Sequence, residues 1–564
     1  MSTDELCNIA AVLPEVAARQ PHTLAVVFPD GRDARGKVRY THYTYAQLDR
    51  DSDRLAAGLT AVGIGKGVRT TLMVKPSLEF FALTFAIFKA GAVPVLVDPG
   101  LGARNVGKCL EQAEPAAFIG IPLAHGARMV LGWGRKTVQT LVTAGTRWGW
   151  GGHDLEELRT LGDAQLAQGW TMARTRADDI AAILFTSGST GPPKGAIYTH
   201  GTFTAQVECI RRTYDIQPGE VDLPTFPLFA LFDPALGMTT IVPDMDASKP
   251  READPRKLIE AIEDFGVTNM FGSPALLDTL SRYGEREGVK LTSLKRVISA
   301  GAPVHATIIE RVLGMLPDDA RLHTPYGATE SLPVASIDSD TLLGETRALT
   351  NEGRGVCVGR PVPEAEVRVI RITDAPIARW SDDLVLPQGE VGEIVVKSPM
   401  VTHAYMNRPD HTALAKIRDG AGEDAPVRHR MGDLGYYDAQ GRLWFCGRKS
   451  HRVRTADGDR FTVPAEVLFN THDAVFRTAL VGVGEAGRQL PVLVVELEAG
   501  VSAERQPRIR EELLTLGKTQ PHTRDIQDVL FHTGFPVDIR HNAKINRPQL
   551  AVWAAARLSP RSLT

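Results

Sequence analysis

Apolar positions change their period several times along the chain. Residues 45–62 carry them at helical spacing, 70–74 form a short apolar run, 78–90 return to helical spacing, and 93–97 is a continuous apolar run. Short unbroken apolar strands between amphipathic helices are what a parallel sheet covered on both faces requires. The same order resumes from residue 116 and continues through 267–271 and 296–299, so the pattern predicts α/β layering in doubly wound sheets for most of the chain up to about residue 340. Between 127 and 170 the alternation lapses. Trp133, Trp148, Trp150 and Trp170 fall there among several glycines, and the stretch reads as a surface insertion packing its tryptophans on the domain, with a lid or a docking surface as the sharper alternatives.

From residue 350 the pattern shortens. Alternating runs at 366–372, 392–397, 435–438 and 443–446 predict a β-rich subdomain over about 350–446. Gly447-Arg448-Lys449-Ser450 reads as a linker, and the strand and helix signals at 479–483, 492–497 and 503–516 are enough for a small α+β domain. The expected organisation is a large N-terminal domain over 1–447 and a small C-terminal domain over 448–564. The run at 80–88 is bounded by Glu79 and Lys89, which makes it a core helix and not a membrane span.

Composition narrows the class. A length of 564 residues exceeds one ordinary core, and a net charge of −3 leaves no overall footprint for nucleic acid or anionic membrane. The five cysteines are odd in number and show no C-x-x-C spacing, which argues against a disulfide framework or a structural zinc site and fits a reducing cytoplasm. The N-terminus lacks the basic start and long apolar run of a signal peptide.

The chemistry is carried by Thr186-Ser187-Gly188-Ser189-Thr190-Gly191-Pro192-Pro193-Lys194-Gly195, which follows the apolar run 180–185. Glycines let the backbone turn and present N–H groups, hydroxyls add donors, and Lys194 adds charge, so the loop suits a phosphate at a strand's carboxyl end. It is not a Walker A loop, because Pro193 stands at the second glycine and Gly195 follows the lysine. The string resembles the phosphate loop of the adenylate-forming superfamily: acyl-CoA synthetases, luciferases and peptide-synthetase adenylation domains.

Further segments extend the resemblance in order along nearly the whole chain. Tyr326-Gly327-Ala328-Thr329-Glu330 is similar to the family's Y-G-x-T-E, which implies that Thr329 meets the α-phosphate and Glu330 helps hold Mg²⁺, a cation that takes oxygen ligands. Ser299-Ala300-Gly301-Ala302-Pro303 resembles the segment beside adenine. Gly432-Asp433-Leu434-Gly435 resembles G-D-L-G, which implies that Asp433 accepts both ribose hydroxyls, with Arg448 also reaching the ribose. Arg540-His541-Asn542-Ala543-Lys544 falls where the family places its catalytic lysine, although Ala543 replaces the usual glycine. ATP and Mg²⁺ are thus the implied cofactors, and the small domain is implied to rotate about its linker.

The linker departs from the family. Ser450 stands where Asp or Lys is usual, and the run to Pro464-Ala465-Glu466 is about two residues longer, which places a thiol-transfer half-reaction in question. Pro224-Thr225-Phe226-Pro227-Leu228-Phe229-Ala230-Leu231-Phe232 is almost wholly apolar where the family lines its acyl pocket; with Met238, Met270 and Phe271 it can line a long alkyl channel, or it is core. Together these segments resemble the β-lactone synthetases of bacterial long-chain olefin biosynthesis. That branch implies a long-chain 2-alkyl-3-hydroxy acid that is adenylated and then closed by its own hydroxyl, with neighbouring pathway enzymes as possible assembly partners. The rival readings are a long-chain acyl-CoA synthetase or fatty acyl-AMP ligase, a carrier-protein loading enzyme and a non-catalytic nucleotide-binding scaffold. The base for the hydroxyl proton does not follow from sequence; His200, His305 and His541 qualify by type alone.

Overall fold

Thr44 opens the first long helix, Tyr45–Ala61, with a capping box: its hydroxyl accepts from the Gln47 N–H while the Gln47 side chain accepts from the Thr44 N–H. The next helix, Leu78–Lys89, is buried along nearly its whole length from Phe80 onwards. Its last residue, Lys89, is fully enclosed and is neutralised by Asp49 and Asp53 of the first helix, each at 2.6 Å. The computed structural model describes residues 6–186, 193–422, 425–537 and 545–558. Among them no helix is long and apolar enough to cross a membrane.

The first sheet has seven strands in the order His153–Asp154, Thr140–Thr143, Ala117–Gly120, Arg69–Met73, Val93–Val97, Ile180–Thr186 and Lys194–Thr199. All neighbours are parallel except the last pair, in which Thr186 stands opposite Lys194. The stretch 127–170 therefore does not depart from the α/β order. Its strands Thr140–Thr143 and His153–Asp154 extend the sheet, and its helix Leu155–Ala167 packs closely on Tyr45–Ala61. Gly58 and Gly162 make that approach possible, since a Cβ on either would stand about 2 Å from the other helix's backbone (2.1 and 1.8 Å). Of its tryptophans, Trp150 stacks on His125 and donates to Thr143 Oγ1, whereas Trp148 is 69% exposed.

The second sheet has 14 strands. Its centre is parallel, running from Leu24–Arg32 through Thr239–Ile241, Val221–Pro224, Asn269–Phe271 and Arg296–Ile298 to Arg321–Ala328. The β-rich segment continues this sheet, because Val356–Pro361 pairs with Ser331–Asp338 and leads through antiparallel partners to Leu443–Arg448, Val427–Tyr437, Gly392–Lys397 and Glu366–Ile370. Gly447 and Arg448, read as linker, belong to the strand, and Asp433 stands opposite Arg448 in register. Beyond it, Val475–Val483, Leu490–Leu497 and Asp528–Phe531 form a separate three-stranded sheet covered by Thr462–Phe469 and Gln506–Gly517.

Below the apolar segment 224–232 lie two buried acids. Asp222 accepts from the Asn269 amide, Asp233 accepts from Thr240 Oγ1 at 2.8 Å, and the two carboxyls are hydrogen-bonded to each other. Burial raises both pKa values, and the charge of Asp222 raises that of Asp233 further, as expected for carboxyls that share a proton. A raised carboxyl contributes stability that is complete below the ordinary carboxylate range and lost as pH rises through the raised value. Asp233→Asn cannot ionise, so its stability relative to the native chain should climb between pH 5 and pH 8, by on the order of 1.4 kcal/mol for each unit of upward shift removed, and the gap in melting temperature between the two should shift in the same direction. A difference that stays constant with pH would show that the pair does not titrate in this range.

Candidate active site

Parallel strands of the long sheet end along one edge, and the loops beyond them carry the candidate chemistry. In order across the sheet these are the apolar segment after Val221–Pro224, Phe271, the 299–303 segment, and the hairpin that follows Arg321–Ala328. Ala328 pairs with Ser331, so Thr329 and Glu330 are the two residues of a tight turn. Gly327 is required there, because a Cβ would lie 2.7 Å from the Ser331 carbonyl oxygen. Both turn carbonyls are taken: the Tyr198 hydroxyl donates to the Thr329 oxygen, and the Thr402 N–H donates to the Glu330 oxygen at 2.9 Å.

Three pieces of chain meet at this turn. Tyr198 comes from Lys194–Thr199 of the first sheet, and the segment around Tyr405 runs beside that strand, with the Met406 N–H on the Gly195 oxygen (2.8 Å) and the Ile197 N–H on the Ala404 oxygen (3.1 Å). A Cβ on Gly195 would press on the Phe185 ring at 2.7 Å, which explains the glycine that closes the phosphate-loop string. The Tyr405 hydroxyl donates to Glu330 Oε1 at 2.5 Å, and two ammonium groups lie over its ring, Lys194 at 5.4 Å and Lys416 at 5.9 Å from the centroid. Burial lowers the Lys194 pKa, with Glu330 opposing. Burial likewise pushes Lys416 down to about 7, again against Glu330.

Asp433 forms the second cluster. Its Oδ2 accepts from the Tyr326 hydroxyl at 2.8 Å, and its Oδ1 lies 3.0 Å from Arg448 Nη1. Oδ1 is buried against Arg448 and receives no well-aligned hydrogen bond. Burial raises the Asp433 pKa, and Arg448 and the Tyr326 bond oppose the rise. Gly301, at a φ of 96°, and Ala302 follow the strand Arg296–Ile298, next to the strand that bears Tyr326.

The structure thus joins Lys194 with Glu330, and Tyr326 and Asp433 with Arg448. The apolar candidates fall into two groups. Phe229 packs on Phe271 with ring centroids 4.4 Å apart, whereas Phe232 and the fully buried Met238 belong to a cluster with Tyr214, Ile216 and Leu236. Ser187, Gly188, Ser189, Thr190, Gly191 and Lys544 lie outside the described residues, as do His541 and the side chain of Thr186, whose backbone ends its strand. His200 is fully buried and accepts from the Ile9 N–H, a structural role, and His305 caps the helix Ala306–Leu313.

Sequence reasoning missed Tyr198, Thr402, Tyr405 and Lys416. None stands in a glycine-rich or charged string, and only the fold brings them to Glu330. Among the described residues no group of three His, Cys, Asp or Glu can enclose a metal. A divalent cation here would have Glu330 as its protein carboxylate and would take its other oxygens from phosphate and water, which suits Mg²⁺ carried on a nucleotide.

The AMP-binding enzyme family profile matches residues 13–406. The chain is 53% identical over 552 residues to the olefin beta-lactone synthetase of Xanthomonas campestris pv. campestris, covering 98% of each. To the olefin beta-lactone synthetase of Stenotrophomonas maltophilia it is 52% identical over 560 residues, covering 99% of each. ATP-bound MatB from Rhodopseudomonas palustris superposes with a TM-score of 0.74 at 21% identity, over 98% of this chain and 100% of that one, a likeness of fold.

Asp433→Asn keeps the side chain's shape and removes the charge that faces Arg448. Charge-assisted hydrogen bonds are worth about 1.5–3 kcal/mol, so the KM for ATP in pyrophosphate release should rise roughly 10- to 100-fold. An unchanged KM in a folded variant would remove Asp433 from nucleotide binding.

Proposed function

The chain belongs to the AMP-binding enzyme family, and within it we propose that this protein activates a long-chain 2-alkyl-3-hydroxy acid with ATP and closes it to a β-lactone. The observation that carries this reading is 52–53% identity over 98–99% of the chain to two olefin beta-lactone synthetases. The paired clusters around Glu330 and Asp433 are consistent with it.

In the first step a carboxylate oxygen attacks the α-phosphorus of ATP, the bond to the β-phosphate oxygen breaks, and pyrophosphate leaves. The 186–195 loop, with Lys194, cradles the phosphates, Asp433 and Arg448 hold the ribose, and Thr329 meets the α-phosphate. Glu330 would hold Mg²⁺, which supplies charge neutralisation on the phosphates. Lys544 orients the substrate carboxylate and offsets the charge that develops in the transition state.

In the second step the 3-hydroxyl oxygen attacks the acyl carbon, the bond from that carbon to the phosphate oxygen of AMP breaks, and AMP departs as the hydroxyl proton is released to solvent. An intramolecular nucleophile carries an effective molarity of up to about 10⁵–10⁸ M when well oriented, which offsets the strain of the four-membered ring. The chain turns over without a thiol. All five cysteines are free and buried, in keeping with a reducing cytoplasm. The small domain, which begins beyond the strand Leu443–Arg448, rotates between the half-reactions about the segment following Arg448. The acid comes from, and the lactone passes to, other enzymes of olefin biosynthesis.

Two long-chain acids that differ only in the 3-hydroxyl, incubated with ATP and Mg²⁺ but no CoA, test this reading. The hydroxy acid alone should give repeated AMP release and a β-lactone, and Lys544→Ala should slow pyrophosphate release on the order of 10²-fold or more. A thioester that appears only when CoA is supplied would identify an acyl-CoA synthetase instead.

A further inference from the structure

Two lysines among the described residues are buried, and they are compensated in different ways. Lys89 has two aspartates at 2.6 Å. Lys416, 6% exposed at the start of the short strand Lys416–Arg418, has no carboxylate within ion-pair distance among the described residues. Its Nζ donates to the Thr402 hydroxyl at 3.2 Å and lies over the Tyr405 ring. The acid whose charge reaches it is Glu330, the carboxylate that also accepts from the Tyr405 hydroxyl. Methionine would fill the same space without the cost of desolvating an amine, so packing alone does not account for a lysine here.

Both of its contacts lead to Glu330. Thr402 donates its N–H to the Glu330 carbonyl oxygen, and Tyr405 donates its hydroxyl to the Glu330 carboxylate. The opposite strand places His429 directly across from Lys416, but that imidazole is buried and its Nδ1 bonds the Ala415 carbonyl; Lys194 also lies over the Tyr405 ring, and Lys416 is the lysine that meets both Thr402 and Tyr405. We propose that Lys416 is a positioning residue for the nucleotide end of the site: it holds Tyr405 and Thr402 so that Glu330 faces the phosphates, without itself touching substrate. The inference rests on Glu330 serving Mg·ATP, the reading given above.

The test is a series of Lys416→Met, Lys416→Arg, Tyr405→Phe and the Met/Phe double variant, with KM for Mg·ATP, kcat for pyrophosphate release and melting temperature measured on the full chain. Native turnover with the long-chain hydroxy acid is measured in the same series, so failure of the functional reading shows as an inactive native chain. Lys416→Met should raise the KM for Mg·ATP at least tenfold with a smaller change in kcat, and Lys416→Arg should recover part of that loss. The double variant should be no worse than about the poorer single variant, because both changes act through one carboxylate. A lowered melting temperature with unchanged KM, or multiplicative effects in the double variant, would overturn the proposal. Should Lys416→Met not fold, Lys416→Arg and Tyr405→Phe carry the test: a KM unchanged in both overturns it equally.

Discussion

A two-residue turn is the point on which the site depends. Thr329 and Glu330 connect adjacent antiparallel strands, and each of their carbonyls is claimed by a donor from a different part of the chain, Tyr198 and Thr402. Backbone oxygens at a turn would ordinarily face water. Here they are used to fasten three segments: the strand after the phosphate loop, the hairpin of the long sheet, and the 402–406 segment of its antiparallel extension. Glu330 is thereby aimed by the two held carbonyls of its own turn as well as by the Tyr405 hydroxyl on its carboxylate.

The parallel strands supply the rest. Because neighbouring strands run the same way, their following loops emerge on one edge, and residues far apart in sequence become neighbours without long excursions of chain. Tyr326 reaches Asp433 across 107 residues of sequence, and register alone sets Asp433 opposite Arg448. The charges are arranged economically. Asp433 is opposed by Arg448 and a phenol, Glu330 by a phenol with two amines beyond it, and a polyanionic nucleotide would meet cations on both clusters.

Much of this was legible beforehand, and the failures have identifiable causes. The helix over 78–90 and the strand over 93–97 were plain because both are apolar almost throughout. The 127–170 stretch misled because strands of four and two residues at a sheet edge carry too few apolar positions to show a period, while its glycines and tryptophans resemble a loop. Gly447 and Arg448 were read as linker because glycine and charge mark loops on average. Their strand is imposed by pairing with Leu434 and Asp433, which no local pattern encodes.

Sequence by itself determined the layered α/β class and, through strings of residue types at short spacing, the family to which the chain belongs. Tertiary structure alone decided that Tyr405 and Lys416 belong with Glu330, that Asp433 meets both Tyr326 and Arg448, and that Phe229 and Phe271 stand together while Met238 joins the core with Phe232. Those relations depend on distances that no short spacing encodes, such as the contact of Tyr405 with Glu330 across 75 residues of sequence, and a buried lysine is recognisable as unusual only once the carboxylates that might have neutralised it have been placed.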